Sequence, residues 1–496
     1  MEKQRSLKVN MIMNIILTTS NFIFPLITYS YVARVIMPEG TGKVAFVQSV
    51  LAYFLYISAL GIPNYGIREC AKVRDNKDEL SQLVQELLII NVLSTVLAYI
   101  VLILTIIYVP KFHEYIPLFA IMSTSIVLQT LGMEWLYKAL EKYSYITIRS
   151  LVFKVISVIL TFVFVKSAKD YIAYGAITIF TTSASYVLNF YNSRKYISYK
   201  KRRKYCFKRH MKPIMIFFFS VVVTTIYGNF DSMMLGFMKG DGEVGMYNAA
   251  TKIKTIVLSL STAITSVLLP RMSLLYSRKE EEKYQELLNK SFRITLLLLV
   301  PISSFVIFSA KDILLFIAGE RYVSAKPTLI VLMLCVMTLS LTNLFGNQIL
   351  VPQGKENRYS QSVFIGLFIN LGLNFLAIPR LGATGAALAT LATEVFNAIY
   401  MGLGCAAEIT KILKSVKIKK YLISLIAGIT LCVGFGAWIK SNMIPFVRLA
   451  IIALPYFMLY YGLLVIQKEP YVLYMIDIAK EKIKGRNAII SKGYRK

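Results

Sequence analysis

Apolar residues run through this chain in long blocks separated by short polar segments. At roughly 20 residues per bilayer crossing, the blocks lie near 10–33, 43–63, 84–108, 115–136, 147–166, 171–192, 213–238, 246–270, 289–310, 326–350, 361–379, 384–407, 420–439 and 445–466. The pattern predicts an all-α integral membrane protein of about fourteen transmembrane helices, because in lipid a helix satisfies its own backbone. Most connections are short, as between helices packed on their neighbours. Composition agrees: the 496 residues are 56% hydrophobic, with a mean hydropathy of +0.60. The segment ahead of the first block is polar and basic, and that block carries Asn14, Asn21 and Pro25, unlike a cleavable signal peptide.

Inside the blocks, polar residues fall into stripes at helical spacing. Asn248, Lys252, Thr255, Ser259, Thr262 and Ser266 share one face; so do Ser220, Thr224, Tyr227 and Asp231. Asn14, Thr18, Asn21, Pro25 and Thr28 form a third stripe, Ser340, Asn343 and Asn347 a fourth, and Thr390, Glu394 and Asn397 a fifth. Facing lipid, such stripes are costly, so they predict a hydrated cavity or polar seams between helices. Ser and Thr alone suit a seam; Lys, Asp and Glu in the stripes favour the cavity. The last two blocks lack comparable stripes, which suits lipid-facing or packing helices.

Charge sets the expected topology. Of 56 Lys and Arg, most fall in the N-terminus, in the segments starting near 64, 137, 193, 271, 353 and 411, and in the tail from 467. The segments near 34, 109, 166, 239, 311, 380 and 440 hold few. By the positive-inside rule both termini are cytoplasmic, and the net charge of +30 is mainly a topology signal. The densest run, Arg194 to Lys212, has a nucleic-acid reading. A cytoplasmic linker resting on anionic headgroups fits its place between blocks better, so no nucleic-acid partner is expected.

That linker, 193–212, separates a six-helix bundle at 1–192 from a second at 213–410. Two additional helices follow at 411–469, then a cytoplasmic tail at 470–496 with an amphipathic start and a basic end. Aligning Gly42 with Gly245 sets Glu39-Gly40-Thr41-Gly42-Lys43-Val44 beside Gly242-Glu243-Val244-Gly245-Met246, each after the first block of its bundle. This weak internal repeat predicts two parallel halves related about an axis along the membrane normal.

Among the intramembrane charges, Lys252 lies in a polar stripe and is the candidate substrate-facing cation. Lys254 is turned roughly 200° from it on an ideal helix and is a weaker contact or a packing residue; for both, a snorkelling lysine is the bland alternative. Asp231 is open between an ion-coupling site and a structural partner of Lys252. Glu394 is a candidate titrating carboxylate. Arg34 ends the first block roughly opposite its stripe. Arg68 and Arg271 are open between an anionic headgroup and the topology rule. The five Cys and two His show no metal-ligand spacing, and no phosphate-binding loop or nucleophile constellation is visible, so no metal site, cofactor or enzyme activity is expected.

Tyr31-Val32-Ala33-Arg34-Val35-Ile36-Met37-Pro38-Glu39-Gly40-Thr41-Gly42 resembles the first signature of bacterial polysaccharide repeat-unit flippases, departing at Met37, where that pattern usually has Gly. Leu60-Gly61-Ile62-Pro63-Asn64-Tyr65-Gly66-Ile67-Arg68-Glu69, the stretch from Asp231 through Gly245 to Ala250, and Leu381-Gly382-Ala383-Thr384-Gly385-Ala386-Ala387 resemble three further signatures. The resemblance spans the chain. It implies the multidrug/oligosaccharidyl-lipid/polysaccharide exporter superfamily, with a MATE-like fold of two six-helix bundles plus two helices. It also implies alternating-access transport of polyprenyl-diphosphate-linked oligosaccharide across the bacterial cytoplasmic membrane, for O-antigen, capsule or exopolysaccharide. Residues that would meet such cargo are Lys252, Arg34, Asn21, Asn248, Tyr227, Asn397, Arg68 and Lys254, with Asp231 and Glu394 for a coupling ion, H+ or Na+. Membrane lipids, a polysaccharide polymerase and chain-length machinery would be partners. The competing expectations are a cation-coupled multidrug exporter of the same fold and a peptidoglycan-precursor flippase.

Overall fold

The computed structural model describes residues 7–200, 204–438 and 443–477. The expected tail at 470–496 therefore falls mostly outside the described residues. Among these residues every regular element is helical, and eleven helices are long and apolar enough to cross a membrane. Large apolar side chains stand open on them, such as Leu93 at 66%, Leu376 at 69% and Ile466 at 75% exposure. Water penalises contiguous surface of this kind, and a bilayer does not. The chain is a multi-pass membrane protein.

Two helices are long enough for two crossings, and each is broken. Leu7–Ala59 breaks at Met37 (φ 62°, ψ 179°), and Glu356–Gly404 breaks at Gly382 (φ 55°, ψ −132°). Both breaks fall inside stretches that carry the family resemblance. Gly382 supplies left-handed backbone without a Cβ penalty, whereas Met37 occupies a region normally reserved for glycine.

The chain gathers into two compact units, each described separately. The first holds Met1–Ala249, Ile317–Ala325 and Leu367–Ala389. In it, Leu7–Ala59 packs against Tyr143–Phe164, Lys208–Met238 and Lys77–Tyr108. Asn76 caps Lys77–Tyr108 by accepting from the amides of Asp78 and Glu79. A buried apolar cluster built on Ile62, Tyr65, Leu83, Leu87, Trp135 and Ile214 seats the short helix Ile62–Lys72. At its start Gly61 (φ 86°) lies so close to the helix Lys208–Met238 that a Cβ would come 2.6 Å from the Phe218 amide nitrogen. A Cβ on Gly66 would come 2.7 Å from Trp135.

The second unit holds Ala250–Phe316, Lys326–Gly366 and Thr390–Lys496. Glu281–Phe308 is its centre, packed on Lys326–Asn343 and Ile418–Trp438, and Ile418–Trp438 pairs with Pro445–Ile466. Pro301 cannot donate to the Leu297 carbonyl one turn back. The Tyr461 hydroxyl donates to that carbonyl instead, at 3.0 Å. Tyr460 and Tyr456 likewise reach the carbonyls of Leu296 and Pro301. Backbone groups left open at a membrane-buried proline are thus closed by a neighbouring helix.

Candidate functional site

In the first unit, three of the four resembling stretches meet one another. The turn after the break at Met37 lies against the turn that begins Asp241–Ser277. A Cβ on Gly42 would overlap the Asp241 carbonyl, and a Cβ on Gly245 would overlap the Pro38 carbonyl. The alignment of Gly42 with Gly245 also pairs Pro38 with Asp241, so the two turns touch through the same positions, reciprocally, as across a two-fold axis. One layer further in, Gly236 receives the Phe46 ring. The aligned pair, Ala33 and Ala249, sits in one buried cluster with Tyr29 and Tyr322.

The Glu243 side chain ties this turn to the other broken helix. Its Oε2 accepts from the Ala383 amide at 2.6 Å, so a carboxylate caps the point where Glu356–Gly404 restarts after Gly382. A Cβ on Gly382 would fall on that carboxylate.

Asp231 is 6% exposed. Its Oδ2 accepts from the Tyr247 hydroxyl at 2.5 Å and its Oδ1 from the Asn374 amide at 2.7 Å. The same amide group of Asn374 donates to Asn370 Oδ1 at 3.0 Å, while Asn374 Oδ1 is buried without a hydrogen-bond partner. A carboxylate and two amide oxygens from Lys208–Met238 and Glu356–Gly404 therefore gather in a buried place, with one acceptor unsatisfied. Such an oxygen set suits a small hard cation.

The other expected residues are distributed as follows. Arg34 is exposed, with its guanidinium on the Ser30 carbonyl and its stem beside Gly319. Asn21 is exposed, and its Oδ1 accepts from Lys154 at 2.6 Å. Arg68 pairs with Glu69 at 2.7 Å and lies over the Tyr65 and Phe217 rings. Asn248 is half-buried. The Tyr227 side chain lies outside the described residues.

In the second unit, Lys252 and Lys254 are both half-buried, so exposure does not separate them as helical phase does. Beyond them, Thr255, Ser259 and Thr262 return their hydroxyls to carbonyls of their own helix. Glu394 is 3% exposed, with Thr342 donating to it at 3.4 Å. Asn397 Oδ1 accepts from Ser362 at 2.9 Å, and a Cβ on Gly366 would come 2.8 Å from that oxygen. That places Asn397 in a tight polar seam within Glu356–Gly404.

Three charged groups that the sequence left out prove central to the first unit. Lys154, 5% exposed, donates to Ser20 as well as Asn21. Its signal was a lone lysine deep in an apolar block. Arg149, near the start of the block 147–166, is buried and donates to Asn189 beside Glu134. Glu86, fully buried, takes the His210 ring at 2.7 Å, Arg209 at 2.7 Å and the Cys206 amide at 2.8 Å. Tyr65 closes the far side of His210 at 2.8 Å. The linker that sequence assigned to headgroups is thus pinned to Lys77–Tyr108 through Glu86 and also Gln85, which reaches the Ser198 and Lys200 carbonyls.

Broken membrane helices, reciprocal glycine turns and buried charges define a transporter-type membrane fold. Its solved likenesses are of that class. The lipid II flippase MurJ in an inward closed conformation matches with a TM-score of 0.67 at 15% identity, covering 92% of this chain and 100% of that one. An inward-facing multidrug resistance MATE family transporter of the MOP superfamily matches with a TM-score of 0.60 at 13% identity, covering 78% and 95%. At such identities the likeness concerns the fold.

The chain belongs to the polysaccharide biosynthesis protein family, whose family model matches residues 7–276. The MatE model matches residues 217–376. A Shigella dysenteriae protein named as an O-antigen transporter is 28% identical over 409 residues, covering 80% of this chain and 99% of its own length.

Proposed function

We propose that this protein is a flippase that carries polyprenyl-diphosphate-linked oligosaccharide repeat units across the bacterial cytoplasmic membrane for surface polysaccharide synthesis. The observation that carries this reading is the similarity to the O-antigen transporter along nearly that protein's whole length. The cargo is an anionic diphosphate with a sugar head and a prenyl tail. Lys252 and Arg34 serve the diphosphate as charge-assisted donors, and Asn248 and Tyr227 serve sugar hydroxyls. Asn21 acts with Lys154, whose ammonium it already accepts from, which supports a cationic patch there.

Transport proceeds by alternating access, with both termini cytoplasmic. The reciprocal contact of the Gly42 and Gly245 turns closes the end opposite the basic loops. Asp231, with Asn370 and Asn374, holds the coupling cation, Na+ or H+; the unsatisfied Asn374 oxygen supports this. Glu394 is the second coupling carboxylate. A polysaccharide polymerase and chain-length machinery take the cargo onward.

The test is reconstitution of the purified protein in vesicles holding a fluorescent polyprenyl-diphosphate sugar. Protein-dependent movement of the label between leaflets is expected, detected by membrane-impermeant quenching. Vesicles that move ethidium but not the lipid would overturn the reading in favour of drug export. Movement confined to lipid II would assign the peptidoglycan precursor instead.

A further inference from the structure

At one end of the second unit a cleft of about 590 Å³ opens between the Asp241–Ser277 and Glu281–Phe308 connection, the turn at Gln353 and the helix Ala406–Ser415. Its size falls in the range of small-ligand pockets, ~300–1,000 Å³. All three walls come from segments that the charge pattern assigns to the cytoplasm, the side on which lipid-linked cargo would load.

The lining is unusual for a membrane protein because it contains no aliphatic side chain. Tyr276 presents an exposed ring, set edge-on to the Tyr284 ring with centroids 5.5 Å apart. Tyr284 is buried and held by its hydroxyl on the Gln348 carbonyl at 3.0 Å. Gln353 donates to Glu408 at 2.6 Å, and its own Oε1 is buried without a hydrogen-bond partner. Lys411 is paired with Glu281 at 2.6 Å.

This chemistry discriminates among ligand classes. An anionic phosphate meets more carboxylates than lysines here, and Lys411 is already engaged. An apolar drug finds no aliphatic wall. No trio of His, Cys, Asp or Glu able to hold a metal ion exists among the described residues. What remains complementary is a neutral polyhydroxylated ligand. A pyranose offers an apolar C–H face to an aromatic ring, and vicinal hydroxyls to carboxylate and amide groups that accept and donate side by side.

We infer that this cleft is a saccharide-docking site that receives the sugar head of the cargo on the loading face, before the diphosphate engages the transport path. The inference rests on the flippase reading for the identity of its ligand. Tyr276 supplies the stacking face, Glu408 accepts hydrogen bonds from the sugar hydroxyls, and Gln353 holds Glu408 in place.

The test is saturation-transfer NMR on the full protein in nanodiscs, with the free methyl glycosides of glucose, galactose, N-acetylglucosamine and rhamnose as probes. At least one glycoside is expected to give protein-dependent signal. Tyr276→Ala and Glu408→Ala should each weaken it about tenfold, the loss of one charge-assisted or stacking contact, while Tyr276→Phe retains it. Absence of signal for every glycoside, or signal unchanged in Tyr276→Ala and Glu408→Ala, overturns the site. The two readings fail separately: saccharide signal that vanishes in these variants upholds the cleft even if vesicles transport no lipid. Vesicle transport without any saccharide signal upholds the flippase and removes the cleft.

Discussion

Gly42 and Gly245 each rest on the backbone of the other's turn, Gly42 against the Asp241 carbonyl and Gly245 against that of Pro38. Neither position has room for a Cβ, and the obstacle in each case is main chain rather than a side chain that could swing aside. Gly42→Ala and Gly245→Ala are therefore expected to part the two turns while leaving membrane insertion intact. Surface polysaccharide in a complementation assay should drop at least severalfold in either variant. The double variant should be little worse than one alone, because both break the same contact. Polymer at the wild-type level in both single variants would show that the contact is not needed for transport.

Met37 holds φ 62°, ψ 179°, a conformation that costs a residue with a Cβ about 1–3 kcal/mol. The related signature places Gly there, and the geometry gives the reason. Met37→Gly releases that strain and gives back about 0.5–1 kcal/mol in unfolded-chain entropy. Net stabilisation of about 1 kcal/mol is expected, read as a higher melting temperature in detergent. A fall in melting temperature would indicate that the Met37 side chain contributes more packing than its backbone costs.

Glu86 joins His210, Arg209 and the Cys206 amide in one buried carboxylate. Glu86→Ala leaves the buried His210 ring and the Cys206 amide without their acceptor, while the half-exposed Arg209 turns to solvent; leaving such donors unsatisfied costs about 1–3 kcal/mol. Thermal unfolding should shift down accordingly, and limited proteolysis should cut more readily around 194–212. Unchanged proteolysis would show that the linker is held by other contacts, such as those of Gln85 with the Ser198 and Lys200 carbonyls.

For Asp231, Asp231→Asn keeps the shape and the Tyr247 and Asn374 neighbours but removes the charge a cation needs. The variant should fold with normal yield and lose any dependence of transport on an imposed Na+ or proton gradient, with a rate at least tenfold lower. Full gradient-driven transport would assign Asp231 a structural role only.

Lys252→Ala is expected to abolish surface polysaccharide while the protein still inserts, and Lys254→Ala to reduce it less. Equal loss from both would contradict the division by helical phase, which exposure leaves undecided.

Much was legible in the chain because a bilayer imposes its constraints locally. Apolar run length, polar phase and the placement of Lys and Arg each act within a single helix or loop, so they announce a multi-pass helical protein directly. Gly42, Gly61, Gly245 and Gly382 are visible as motif residues, and the alignment of Gly42 with Gly245 points to paired halves. What each glycine touches depends on helices far apart in sequence, and periodicity holds no trace of it. The same holds for Asn21 receiving Lys154, and for Glu86 gathering His210 and Arg209 across more than a hundred residues. A charge buried in a membrane protein is tolerable only with partners. The sequence by itself determined that such charges need partners; tertiary packing decided who they are.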